Sequence, residues 1–141
     1  MKNSLIKWIL LFSLVFCVSP SSADDDPKNF KEVMQRISVN MADLVDPILK
    51  GEFSKVHELA ERVANHDEPP LMLRVKVIAE LGMDFIDFKK YDDEVHMSAV
   101  SIQLAAKNKD IDGMITGYGK TMQSCHDCHK KYRKRIRKLN F

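Results

Sequence analysis

The 141-residue chain carries 22 basic and 20 acidic side chains, which gives a formal net charge of +2 at neutral pH. The small positive excess lies at the N-terminus, where Lys2 and Lys7 occur without any acidic residue before position 24. The remaining chain holds 20 residues of each sign and has no net charge. The composition therefore gives no support to nucleic-acid binding, and the length suits one small domain.

The N-terminal segment has the three parts of a secretory signal peptide. Two lysines precede an apolar run from Trp8 to Val18, and small residues stand three before and one before a cut after Ala23. The apolar run is shorter than the roughly 20 residues of a transmembrane helix, although an uncleaved N-terminal anchor is the alternative. We predict a cleaved signal peptide over residues 1–23 and a mature domain over residues 24–141, located in the periplasm.

The first part of the mature chain predicts two amphipathic helices. Asp26-Pro27 is a typical helix start, and apolar residues then recur every three or four positions up to Ile48. Lys50-Gly51 is expected to end this helix. Ser54 is the expected N-cap of the second helix, which Pro69-Pro70 follows.

The second part predicts a long third helix and a fourth helix. The third runs from Leu71 to about Lys107 and is bent or interrupted near Gly82. After the turn at 108–110, the fourth helix carries an apolar stripe, and its glycines, Gly113, Gly117 and Gly119, indicate either close packing or a later helix start. No alternating run indicates a strand. The predicted class is all-α, an antiparallel four-helix bundle.

The fourth helix contains the pentapeptide Cys125-His126-Asp127-Cys128-His129. Its pattern Cys-x-x-Cys-His is the attachment sequence of a c-type haem. In a helix, the two cysteines and His129 occupy positions i, i+3 and i+4, and therefore share one face. The thiols can bond the two vinyl groups of haem while the imidazole of His129 binds the iron as the proximal ligand.

A haem motif near the C-terminus of a four-helix chain resembles the class II cytochromes c, the cytochrome c′ family. Residues 129–133 are similar to the end of the family pattern C-x-x-C-H-x-x-Y/F-R, and residues 34–44 resemble the pattern of its first helix. The resemblance implies one covalently bound haem c, with its iron, in each chain. It also implies a family of monomers and of homodimers.

The resemblance also directs attention to Met34, which occupies the first-helix position that faces the distal side of the haem. In low-spin members this position holds methionine, whose thioether is the second axial ligand, and in high-spin members it holds a non-ligating apolar residue. Met34 is therefore the expected distal ligand. The alternatives are ligation by Met41, or an iron with five ligands and a methionine that only fills the core.

Other residues receive roles from the resemblance alone. Arg133 corresponds to a family arginine beside the proximal imidazole, and Lys31 lies near the place of an arginine that pairs with a haem propionate; both can equally be solvated bases. His57, His66 and His96 are expected at the surface, although His96 could also approach the haem from the third helix, where Met34 fits the family pattern better. The family often has a small residue three before the first haem cysteine, and here that position is Met122.

Seven basic residues lie between positions 130 and 138. They are interpreted either as a solvated helix end, where cations are favourable, or as a docking patch for an acidic redox partner. Two rival uses of the cysteine pair are a thiol oxidoreductase and a structural zinc site. The first expects a helix N-terminus beside a strand, and the second lacks further ligands.

The sequence thus predicts a non-enzymatic periplasmic cytochrome that transfers single electrons through a haem ligated by histidine and methionine. Its expected partners are redox proteins in weak, transient contact. The alternative is a five-coordinate protein that binds NO or CO at the distal haem face. No nucleic-acid partner is expected, and no membrane contact is expected after the signal peptide is removed.

Overall fold

The computed structural model describes residues 27–139, so the predicted signal peptide lies outside the described residues. The helices in that range are α1 (Phe30–Asp43), α2 (Val45–Lys50), α3 (Phe53–Ala64), α4 (Leu71–Leu81), α5 (Phe85–Lys107) and α6 (Ile111–Arg137). No strand occurs between residues 27 and 139, and the predicted all-α class is confirmed. No helix in this range is long and apolar enough to cross a membrane.

The first helical arm consists of α1 and α2, which meet at Leu44. Its start differs from the prediction, because Asn29 is the N-cap and Pro27 precedes it. The side chain of Asn29 accepts a hydrogen bond from the backbone N–H of Glu32, and the Glu32 carboxylate accepts one from the Asn29 amide, in the manner of a capping box. The arm ends at Gly51, whose φ of 66° suits a residue without a Cβ.

The next two arms begin and bend close to the predicted places. The helix α3 starts at Phe53, so Ser54 lies in its first turn and is not the N-cap. The third arm is interrupted at Gly82, where one turn of 3₁₀ helix separates α4 from α5. Gly82 has a φ of 55°, a left-handed conformation that explains why the helix cannot pass through it unbroken.

The four arms form the predicted bundle, with α5 at its centre. Both α6 and α3 pack along α5, and α1 packs against α3. The antiparallel arrangement of α5 and α6 brings Ser98 beside Thr121, whose hydroxyl donates to the Ser98 hydroxyl at 2.8 Å. Most of the buried apolar side chains of α1, α3, α5 and the start of α6 form one cluster, which we call the main core.

Close contact between α5 and α6 depends on Gly117. A Cβ added there would lie 2.7 Å from Cγ1 of Ile102 and 2.8 Å from Oγ of Ser101. Gly117 is therefore a close-packing glycine, and α6 already begins six residues before it, at Ile111. Gly119 differs, because an added Cβ would meet nothing within 4 Å.

A second cluster joins the C-terminal half of α6 to α4 and the start of α5. Tyr132 is 1% exposed, and its ring meets those of Phe88 and Tyr91 edge-on. Val77, Leu81 and Ile136 complete its buried part. We call this group the aromatic cluster.

Candidate haem-binding site

The pentapeptide lies in the C-terminal half of α6, with ordinary helix before and after it. Cys125, Cys128 and His129 therefore occupy positions i, i+3 and i+4 of one continuous helix and lie on the same side of it. The helical setting required by the haem-attachment interpretation is present. Both cysteines are half-buried, whereas His129 is exposed.

The two cysteines lie where the two apolar clusters meet. Cys125 packs against the main core, as Met34 does, and Cys128 packs against the aromatic cluster, as Phe30 does. Phe30 and Met34 are one helical turn apart on α1. The first two turns of α1 thus contribute one half-buried side chain to each of the clusters that hold the cysteines.

The environment of His129 favours its neutral form. Partial burial lowers the pKa of His129, and the positive charge of Arg133 and the neighbouring His126 lower it further. An imidazole must be neutral to bind iron through a ring nitrogen. The local electrostatics therefore suit His129 to the role of a metal ligand.

The cysteine environments do not suit thiol redox chemistry. Burial raises the pKa of Cys125, and burial together with the charges of Cys125 and Asp92 raises the pKa of Cys128 to about 11. A catalytic or redox-active cysteine requires the opposite, a lowered pKa that provides thiolate at neutral pH. The pair also lies late in a helix, far from the helix N-terminus at Ile111.

An apolar stripe on α6 leads up to the two cysteines. Ile115 and Met122 are 52% and 47% exposed, and with Cys125 and His129 they recur at helical spacing on one side of α6. The helix α1 packs chiefly against α3 and leaves this stripe open. Half-buried thiols, a neutral imidazole and an open apolar stripe on one face match the covalent, metal-ligating and apolar parts of a haem.

The histidines outside the pentapeptide occupy different environments. His96 has its Nδ1 within 2.8 Å of the Ala64 carbonyl oxygen, so this ring is engaged with α3. The prediction of an ordinary surface side chain is wrong for His66, whose side chain is 15% exposed and whose Nε2 lies 3.2 Å from Asp92. The sequence carried no signal for this pair, because its members are 26 residues apart and only the fold brings them together.

The two residues that the family resemblance placed near the haem are both at the surface. Lys31, on the first turn of α1, and Arg133, four positions after His129, are exposed. The sequence did not single out Phe30 or Phe88, which lie 6.2 Å apart between ring centroids in the aromatic cluster beside Cys128. The periodic pattern marks both as apolar, but it does not distinguish residues beside the cysteines from the rest of the core.

Other potential sites receive less support. Between residues 27 and 139, no group of three or more His, Cys, Asp or Glu side chains is placed to hold a metal ion. A structural zinc site therefore lacks a ligand set in that range. Two surface depressions, one beside Pro69-Pro70 and one beside Pro47, are lined by residues outside the pentapeptide.

Comparison with known families gives one match. The family model described as Cytochrome C′ matches residues 76–133. This range runs from the middle of α4 through the whole pentapeptide to Arg133, and it leaves out α1 with Met34. No curated protein and no solved structure matches the chain at a significant level.

Proposed function

We propose that the chain, whose residues 76–133 match the Cytochrome C′ family model, is a periplasmic carrier of single electrons whose haem iron is bound by His129 and Met34. The cofactor is haem c, the covalently attached haem of this family. Members of the family are typically periplasmic and are generally not enzymes, and we assign no catalytic residue.

In this proposal, α6 supplies the attachment. Cys125 and Cys128 form the two thioether bonds, and His129 binds the iron through a neutral imidazole nitrogen. The bound haem supplies an iron that alternates between the ferric and ferrous states. The chain holds that iron in place, keeps its apolar surroundings dry and, through the axial ligands, sets its reduction potential.

The location of Met34 is the observation that carries the choice of an electron carrier. Met34 is half-buried and packs against the same cluster as Cys125, so the two side chains border the same part of the main core. A thioether ligand stabilises ferrous iron and occupies the position that a gas would need. An iron with both axial positions filled is suited to electron transfer.

Met41 is less suited to this role. It lies two turns after Met34 on α1 and is 4% exposed within the main core. A deeply buried side chain in a packed core has little freedom to turn toward a cofactor. The contact of His96 with the Ala64 carbonyl likewise favours Met34 over His96 as the distal ligand.

Arg133 and Lys31 are proposed to act on the haem through charge. Arg133 lies one turn after His129 and lowers the pKa of that imidazole, which favours the ligating form. Lys31 precedes Met34 by three positions on α1, where its ammonium group can pair with a haem propionate. Neither residue is proposed as an iron ligand.

The test is the absorption spectrum of the purified holoprotein, oxidised and reduced, with and without carbon monoxide. We expect low-spin bands that carbon monoxide does not change. The variant Met34→Leu should become high-spin and bind the gas, because leucine has no donor atom. Met41→Leu serves as the matched control and should keep the low-spin spectrum.

A gas-binding protein is the second candidate. It is favoured by one observation: Met34 lies outside the residues that match the family model. If the unaltered holoprotein is high-spin and its spectrum shifts with carbon monoxide, the electron-carrier proposal is wrong and NO or CO binding replaces it. If Met41→Leu and not Met34→Leu opens the site to the gas, the ligand assignment is wrong.

A further inference from the structure

The helix α4 is apolar on both its sides, and only one side is covered. Leu73, Val77 and Leu81 are buried. On the other side Leu71, Met72, Val75 and Ile78 are between 45% and 71% exposed. Met83 and Ile86, which follow the break at Gly82, are 85% and 69% exposed. We call the exposed set the α4 strip: Leu71, Met72, Val75, Ile78, Met83 and Ile86.

The acidic residues beside the α4 strip are neutralised within the protein. Arg135 of α6 lies 2.6 Å from Asp84 and 3.7 Å from Glu80, and Lys131 lies 2.9 Å from Asp87. These ion pairs also fix the C-terminal part of α6 beside the α4 strip. The negative charges of this region are therefore already matched by cations.

Further cations beside the strip have no such match. Lys134 follows Lys131 by three positions and thus lies on the same side of α6, and Lys138 is the C-cap residue of that helix. Lys76 lies within the strip segment itself. All three are exposed, and among the described residues none forms an ion pair. The region thus combines exposed aliphatic side chains with unmatched positive charge.

We propose that the α4 strip and its flanking lysines bind the surface of an anionic phospholipid membrane. Aliphatic side chains insert at the boundary between headgroups and acyl chains, while lysines beside them are attracted to anionic headgroups. This proposal is independent of the ligands of the iron. It differs from the expectation from the sequence that the mature protein has no membrane contact.

Two other occupants fit this surface less well. A second copy of the chain would bring two sets of unmatched lysines together around a two-fold axis, and their repulsion would oppose burial of the strip. Protein interfaces are enriched in aromatic side chains, arginine and methionine, and of these the strip has only the two methionines, Met72 and Met83. A lipid surface requires no complementary pocket and supplies the negative charge.

The experiment is co-sedimentation of the holoprotein with vesicles of phosphatidylglycerol and, separately, of phosphatidylcholine. We expect binding to the anionic vesicles, weaker binding as salt rises, and little binding to the neutral ones. Met72→Gln with Ile86→Gln should weaken binding by about tenfold or more. The matched control is Leu49→Gln with Met97→Gln, at positions of similar exposure, 76% and 69%, elsewhere on the surface, and it should bind normally.

The charge contribution is tested separately. Lys134→Glu with Lys138→Glu should also reduce binding by about tenfold or more, whereas Lys107→Glu with Lys120→Glu makes the same change in net charge away from the strip and should have a small effect. Helix content and the haem spectrum verify that each variant is folded.

Three outcomes would overturn the proposal. One is the absence of binding to phosphatidylglycerol vesicles, and another is equal loss in the strip and control variants. The third is a different occupant of the α4 strip. If sedimentation velocity reveals a dimer that the strip variant loses, the occupant is a second copy of the chain. If the protein binds immobilised poly-glutamate and does not bind vesicles, the occupant is an acidic protein.

Discussion

The helices α6 and α1 contribute to the candidate site in different ways. The three residues on α6 are neighbours along one helix, so their shared face follows from their spacing alone, and they lie within the residues that match the family model. Met34 lies on a different helix, and it borders the same core as Cys125 only because α1 packs on α3 and α3 packs on α5. In the proposed function, attachment of the haem therefore depends on one helix, whereas the second axial ligand depends on the packing of the whole bundle.

The largest expected effect comes from removing the two cysteines on α6. The double variant Cys125→Ser with Cys128→Ser should lose covalent haem completely, because no other cysteine occurs after residue 23. Haem staining on a denaturing gel measures this directly. His126→Ala, an exposed position inside the pentapeptide, should stain normally, and covalent haem in the double variant would contradict the attachment residues.

Removing the thioether of Met34 on α1 should leave the haem attached and change its reduction potential. Met34→Leu exchanges side chains of similar volume, so the stability should change by less than about 1.5 kcal/mol. The reduction potential should fall, because a ligand that favours ferrous iron is lost. Protein-film voltammetry measures the potential, and thermal unfolding measures the stability.

The buried Met41 is the control that separates packing from ligation. Met41→Leu should alter the unfolding temperature at least as much as Met34→Leu does, because Met41 is 4% exposed, and it should leave the potential unchanged. If the reduction potential of Met34→Leu is also unchanged, Met34 is not a ligand of the iron.

The sequence predicted the local features better than those that depend on packing. Gly82 marked the break between α4 and α5 because only a residue without a Cβ readily takes its positive φ. The predicted start of α1 was wrong because the sequence holds two cap signals three residues apart. Asp26-Pro27 was chosen, whereas Asn29, paired with Glu32, is the N-cap. The open side of α4 was not predicted, because a helix that is apolar on both sides has no periodicity to indicate which side is covered.

A smaller effect is expected where α6 approaches α5. Gly117→Ala would place a methyl group 2.7 Å from Ile102 and 3.3 Å from its backbone nitrogen, and such overpacking costs about 1–3 kcal/mol. Gly119→Ala is the matched change two residues away in open space. It should raise stability by about 0.5–1 kcal/mol, because alanine favours the helix.

Chemical denaturation of both glycine variants measures this difference. Opposite signs are expected within one helix, and equal effects would mean that α5 and α6 do not approach closely at Gly117. Covalent haem should be retained in both variants, since neither change reaches the pentapeptide.

The smallest expected effect concerns the link between the α3–α4 connection and α5. The hydrogen bond to Asp92 raises the pKa of His66, although burial opposes this, and the same bond lowers the pKa of Asp92. The contribution of His66 is complete below its ordinary value of 6.5 and is lost as pH rises through the raised pKa. The contribution of Asp92 is complete above 3.8 and is lost as pH falls through the lowered pKa.

The pair should therefore stabilise the fold most between about pH 4 and 6.5. His66→Gln is expected to cost about 1 kcal/mol or less at pH 5.5 and less at pH 9, because the contribution of His66 decreases as pH rises through its raised pKa. Lys89 also bonds Asp92, so the carboxylate keeps one partner in the variant. His57→Gln, on α3 and without an ion pair among the described residues, is the matched control. If the cost of His66→Gln is the same at both pH values, the ion pair does not hold the α3–α4 connection to α5.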